Sequence, residues 1–148
     1  AHGYENIEYQ VAAHPGATPK ALSKVASGGE LARISLAISV ITSAANATPT
    51  LIFDEVDSGI GGAVADTVGK RLKELGKTNQ VLCVTHLPQV AAQADHHWKV
   101  SKTSTGNHTS STIDSLGRNE RVEEIARMLG GAEITDITRR HARELLSS

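Results

Sequence analysis

Apolar and polar positions alternate at the start of the chain. In "NIEYQV", Ile7, Tyr9 and Val11 fall on one face of an extended segment, which reads as a half-buried strand closed by the "HPG" turn at His14 to Gly16. A polar connector follows. From Glu30 the period changes: Leu31, Ile34, Ile38, Ile41 and Ala45 recur at helical spacing, and Leu36, Ala37 and Val40 widen the stripe. So broad a stripe predicts a helix buried on most sides, ended by "NATP". "TLIF", Thr50 to Phe53, is instead a continuous apolar run, the pattern of a parallel strand covered on both faces. A glycine-rich loop then opens a helix from Gly62 to Leu75, with Val64, Val68, Leu72 and Leu75 on one side and Lys70, Arg71, Lys73 and Glu74 largely on the other. "QVLCVT" predicts another buried strand ending at His86, "LPQVAAQA" a short helix with proline near its start, and "HWKVS" a third strand. The segment from Lys102 to Ser115 reads as a polar hairpin turning near Gly106 and Asn107, followed by helices around Arg121 to Leu129 and Glu133 to Leu146.

Strands alternating with helices predict an α/β fold, a mainly parallel sheet flanked by helices, with a β-hairpin and C-terminal helices added. No internal repeat or linker interrupts residues 1–148, which read as one domain. Ligands of such sheets gather at the carboxyl ends of the strands. Asp54 and Glu55 end one strand and His86 ends the next, so all three are expected on one edge.

Composition narrows the function classes. With one Phe, one Trp and two Tyr among 39% apolar residues, the core must be aliphatic. Fifteen Lys and Arg against sixteen Asp and Glu leave no overall field to draw the chain to nucleic acid or membrane, so any DNA contact must be local. Lys20 and Lys24, or Arg139, Arg140 and Arg143, offer such contacts, although basic residues on helix surfaces are more often only solvated. The single Cys83 lies in an apolar run and reads as a buried, inert thiol, in keeping with a cytoplasmic protein. No signal peptide or membrane span is visible.

The acidic pair suits a magnesium ion, which prefers carboxylate and water oxygens, with the second carboxylate free to orient or deprotonate a water. The histidine would touch a terminal phosphate. Taken singly, Asp54 would more often cap a turn, Glu55 be solvated and His86 merely end a strand; together they favour chemistry. Upstream, "ASGGE" builds an anion site: Ser27 is a candidate N-cap, Gly28 and Gly29 admit a ligand close to the backbone, and the helix from Glu30 supplies oriented N–H groups.

Two decoys fall away. "RLKELGKT" ends like a phosphate loop, but Arg71 replaces its first glycine and it joins helix to strand, the wrong order. "GIGGAV" has Val64 in place of the third glycine of a dinucleotide fingerprint, and Asp54, Glu55 and Asp57 before it would repel a pyrophosphate. His96 and His97, adjacent on a predicted strand, should point to opposite faces and so read as structural.

"SGGE", then an apolar strand ending in "DEVD", then "VTH", in that order, resembles the carboxyl-terminal half of an ATP-binding-cassette ATPase head of the SMC-like kind, a P-loop NTPase. The longer runs "KVASGGELARISLAI", "LIFDEVDSGIGG" and "CVTHLPQVAAQADHH" are similar to the DNA-repair members of that group, from about Ile7 onward. The resemblance implies ATP and Mg2+ as cofactors, with the Walker A half on a separate amino-terminal segment beyond a coiled coil. It implies that Asp54 helps hold magnesium through water, Glu55 activates the attacking water, and His86 meets the γ-phosphate. Ser27, Gly28, Gly29 and Glu30 become the signature, acting on ATP bound to the opposite head of a homodimer. Ala26 replaces the usual leading Leu, Glu30 replaces Gln, and Gly61 stands where many D-loops have Asp, so no catalytic role is given to Gly61.

Three functions follow: an ATPase of recombinational DNA repair that acts on DNA, inactive until joined by its Walker A half; a silent dimerisation or DNA-interaction module; or a transporter ATPase fragment. The signature begins within thirty residues of the chain start, without the upstream helical region of a transporter cassette, which disfavours the last.

Overall fold

A computed structural model describes residues 3–4, 7–12, 14–24, 27–42, 48–106, 108–131 and 133–147. The elements run β1 (Gln10–Val11), β2 (Lys20–Ala21), a 3-10 turn (Leu22–Lys24), α1 (Gly28–Thr42), β3 (Thr50–Phe53), α2 (Gly62–Leu75), β4 (Gln80–Cys83), α3 (Pro88–Ala92), β5 (Trp98–Thr105), β6 (His108–Ser115), α4 (Arg118–Gly130) and α5 (Asp136–Leu146). Ala26, Ala45 and Asn107, which entered the sequence reading, lie outside the described residues.

The opening strand is shorter than its alternation predicts. Only Gln10 and Val11 pair, antiparallel with Ala21 and Lys20, while Ile7 and Tyr9 stay exposed. Alternation makes an apolar face, but that face becomes a strand only where another strand or layer covers it. The expected "HPG" turn is present, with Ala17 N–H donating to the His14 carbonyl at 3.0 Å.

The two apolar runs form the parallel pair β3–β4, in register from Thr50 beside Gln80 to Phe53 beside Cys83. Phe53 is buried with Leu36 of α1 and with Val68, Leu72 and Leu75 of α2. Coverage of both faces, expected from the continuous apolar run, is not found: Ile52 is 72% exposed. The same holds for α1, where Leu36 is buried but Ile41 is 81% exposed. On the face of Ile52, Val84 is exposed as well, whereas Leu82, the register partner of Ile52, is partly buried.

α3 joins two cores. Its Val90 enters the cluster under β3 and β4, while Ala91 and Ala92 enter a second one with Ile125 and Ala126 of α4 and Ala142 of α5. α2 and α3 approach closely because Gly69 lacks a side chain: a Cβ there would lie 2.9 Å from Gln93 Cγ and 3.2 Å from the Gln89 carbonyl oxygen. α4 is fastened to the end of α3 by Arg121, whose guanidinium donates to the carbonyls of Ala94 at 2.6 Å and Asp95 at 3.2 Å.

"HWKVS" does not add to the parallel pair. Its strand, β5, continues to Thr105 and folds back on β6, with Trp98 opposite Ser115 and Thr105 opposite His108. A tight turn, with Gly106 at φ 60°, closes this hairpin at far less loop entropy than a long return to β3 or β4 would cost. Trp98, Val100 and Ile113 share the exposed face. On the other face Lys99 reaches the buried Glu124 of α4 at 2.8 Å, and Arg127 holds the same carboxylate at 2.6 Å. Among the described residues no helix is long and apolar enough to cross a membrane.

Candidate functional site

The carboxyl edge of β3–β4 is built by the backbone ladder. Val84 N–H donates to the Phe53 carbonyl at 2.9 Å, so the two chains stay together until Asp54 leaves one strand and Thr85 and His86 leave the other. Asp54 turns its Oδ1 back to accept the Glu55 N–H at 2.9 Å, and the residue remains exposed. Glu55 sits at φ 60°, the left-handed region, and is the one non-glycine residue there among those described. A non-glycine residue held in that region costs on the order of 1 kcal/mol, a kind of strain that collects at working sites. The turn is closed by Ser58 N–H donating to the Glu55 carbonyl at 3.0 Å.

The start of α1 is docked against this turn. Ser27 caps it: its Oγ accepts the Glu30 N–H at 3.1 Å and its hydroxyl lies 3.4 Å from Glu30 Oε2. A Cβ on Gly28 would lie 2.8 Å from Glu55 Oε2, and one on Gly29 would lie 2.9 Å from Ser58 Cβ and 3.0 Å from its carbonyl oxygen. The sequence reading gave these glycines to a ligand; here their bare Cα atoms also admit the chain's own loop. Arg33, one turn along α1, donates from Nη1 to the Ser58 carbonyl at 2.8 Å and the Val56 carbonyl at 3.4 Å. Ser27 to Glu30 are thus brought beside Glu55.

His86 is organised by a residue to which the sequence reading gave no contact with it. Asp57 is 2% exposed, its Oδ2 accepts the Thr85 hydroxyl at 2.5 Å and the His86 backbone N–H at 3.0 Å, and His86 Nδ1 lies 3.2 Å from the same oxygen. Burial acts to raise the Asp57 pKa, but the bond from Thr85, that from the His86 N–H and the charge of His86 outweigh it and hold the carboxyl below its ordinary value. The signal was available in part: an acid four residues past the strand end, opposite a Thr-His pair on the neighbouring strand. Burial distinguished it from the exposed Asp54 and Glu55.

Cys83, at the same end of β4, is pushed up to about 12 by burial and then by the charges of Asp57 and Asp54, so its thiol stays protonated. Among the described residues no three His, Cys, Asp or Glu side chains converge as a metal cage. Magnesium keeps several waters and binds through one or two carboxylates plus substrate phosphates. Asp54, exposed and with Oδ2 unengaged among the described residues, has the donor chemistry for such a site. The Gly-Lys-Thr decoy falls between α2 and β4, and His96 and His97 precede β5. Burial first, then the charge of Arg121, lowers the His97 pKa.

The fold that carries these residues is that of a segment of an SMC-type head. The crystal structure of the Smc head domain with a coiled coil and joint from Pyrococcus yayanosii matches it with TM-score 0.59 at 26% identity, over 74% of this chain and 20% of that one. A chain from work on ATP-driven dimerization and DNA-stimulated activation of SMC ATPases shares the fold with TM-score 0.56 at 24% identity, over 80% of this chain and 70% of that one.

The chain belongs to the RecN family. It is 52% identical over 145 residues to the DNA repair protein RecN of Xylella fastidiosa, covering 98% of this chain and 26% of that protein. It is 50% identical over 146 residues to that of Haemophilus influenzae, covering 99% and 26%, and 44% identical over 144 residues to that of Bacillus subtilis, covering 97% and 25%. It thus spans about a quarter of the length of these relatives. No family model matches the chain.

Proposed function

We propose that residues 1–148 form the carboxyl-terminal half of the ATPase head of a RecN-like protein of recombinational DNA double-strand-break repair. The parallel pairing of β3 and β4, which delivers Asp54, Glu55 and His86 to one edge, carries this reading. Asp54 offers its open oxygen to the waters of a magnesium ion, and Glu55 accepts a proton from the attacking water. Magnesium, when bound, supplies charge for the phosphate oxygens. His86 meets the γ-phosphate with its exposed ring. Ser27, Gly28, Gly29 and Glu30 present the N-terminus of α1, where N–H groups lacking helical partners favour an anion, to ATP held by the opposite head of a homodimer. The Walker A half of the same protein and DNA are its further partners, the cytoplasm its compartment, and the segment alone is inactive.

Apolar exposure on the open side of β3–β4, at Ile52 and Val84, supports a surface made to be covered, which also keeps alive a silent association module. Turnover separates the two. Magnesium-dependent ATP hydrolysis is measured for this chain alone, for the Walker A half alone, and for their mixture. The proposal expects silence from each half and activity from the mixture, with Glu55→Gln in the complete protein keeping ATP binding and slowing turnover on the order of a hundredfold or more. Unchanged turnover in that variant removes Glu55 from the base role, and silence of the mixture and of the complete protein leaves the association module.

A further inference from the structure

We infer that Asp57 is the positioning residue of His86: it fixes the neutral imidazole with its proton on Nδ1 and leaves Nε2 as the working nitrogen. The inference rests on the ATPase reading for its functional part and on geometry for the rest. Asp57 is buried and held ionised, so its oxygen can only accept. The structure gives its Oδ2 two donors, the Thr85 hydroxyl and the His86 N–H, and sets the His86 ring beside the same oxygen with Nδ1 at 3.2 Å. A lone pair on Nδ1 would be repelled by an ionised oxygen 3.2 Å away, so Nδ1 carries the hydrogen.

The backbone bond and the ring contact run from one residue to one oxygen. Together they restrain both the chain and the ring plane of His86, although its side chain is 72% exposed. Thr85 completes the support, since its hydroxyl donates to Asp57 and accepts the Leu87 N–H at 3.1 Å, tying the turn into α3. Asp57 itself is kept in place from the other side by Arg33, which grips the carbonyls of the residues before and after it, Val56 and Ser58.

The chemical consequence concerns polarity. With Nδ1–H committed to Asp57, a neutral His86 presents a lone pair at Nε2, not a donor. Any proton the ring takes up enters at Nε2, giving an imidazolium that donates to a phosphate oxygen while Asp57 balances its charge. An oriented imidazole whose outer nitrogen is set by a buried carboxylate is a known device for proton transfer and for charge stabilisation.

The test reads the tautomer directly. The full chain is labelled with 15N-histidine, His86 is assigned by its loss in His86→Gln, and its ring nitrogens are observed at a pH where the imidazole is neutral. Protonated Nδ1 with bare Nε2 is expected for His86, and the opposite pattern for His96 and His141, which are exposed. A wild-type His86 with its proton on Nε2 overturns the inference, and because that spectrum needs no variant, a folding failure cannot hide the result. In the complete protein, Asp57→Asn is expected to lower kcat about tenfold or more with KM for ATP held within about twofold, the signature of a misplaced group and not of lost binding. Unchanged kcat in that variant also overturns it. The two levels fail separately: full turnover in His86→Gln overturns the functional part by removing the ATPase role of His86, whereas an Nε2–H spectrum overturns the assignment of its tautomer to Asp57.

Discussion

Glu124→Gln, followed across pH, measures the charge cluster that a buried carboxylate of α4 gathers from its own helix and from the hairpin. Glu124 is 7% exposed, and its carboxylate takes Lys99 Nζ from β5 at 2.8 Å and Arg127 Nη2 from α4 at 2.6 Å. The Arg127 hydrogen bonds lower its pKa most; burial opposes them and Lys99 reinforces them, carrying it from 4.5 down to about 2. In the unfolded chain the carboxyl takes its proton near the upper value, while the folded protein refuses it until near the lower one. The contribution to stability is therefore complete above about pH 4.5 and is lost as pH falls through that window towards 2. At about 1.4 kcal/mol for each pH unit the gap corresponds to about 3 kcal/mol, and water around the half-exposed partners trims it to roughly 2 to 3. A domain of this size holds about 5 to 15 kcal/mol in all, so the difference is measurable. Urea unfolding midpoints are compared for wild type and variant from neutral pH to about pH 2. The wild type is expected to lead by that margin at neutral pH and to lose its lead through the window. Other carboxylates titrate in both proteins and cancel in the comparison. A gap that stays constant with pH, or no gap at all, would refute the assignment of this stabilisation to the Glu124 charge.

Gly69→Ala is expected to destabilise the chain by roughly 1 to 3 kcal/mol, because its Cβ would lie 2.9 Å from Gln93 Cγ just past α3 and 3.2 Å from the Gln89 carbonyl oxygen within it. An exposed helical position would instead gain about 1 kcal/mol from the same change, so the sign of the shift in urea midpoint decides between them. Ser27→Arg should leave the monomer folded by circular dichroism and abolish ATP-dependent association of complete heads in sedimentation, since bulk and charge would fill the N-terminus of α1; unfolding would mean that Ser27 matters only as a cap. Cys83, with its thiol pushed up to about 12, should react with a thiol reagent at mildly alkaline pH far more slowly than in urea-unfolded chain. Equal rates would show that the thiol is not sheltered.

Local pattern carried much of this protein. The apolar runs at Thr50 to Phe53 and Gln80 to Cys83 were readable as parallel strands from their alternation with helices, although the burial on both faces that such runs suggest is not met at Ile52, and α2 was readable from its stripe, of which Val64 stays exposed. Asp54, Glu55 and His86 were legible for the same reason: once two strands are parallel, the residues that follow them share an edge. Which residues would find cover was not legible. Ile52 and Ile41 look in sequence like Phe53 and Leu36, and only the layer over each distinguishes them. Nor did periodicity reveal that the strand after His97 would choose β6 over β3–β4, because pairing is a competition between a short loop and a long one. Asp57 is the sharpest case. In sequence it is one of three acids near a strand end; in the fold it is the buried one, because β4 brings a hydroxyl, a backbone N–H and an imidazole to it from some thirty residues away. Side-chain type and spacing set what each residue is able to do, whereas burial and partnership across distant segments, which depend on packing and not on neighbours in the chain, set which residues do it.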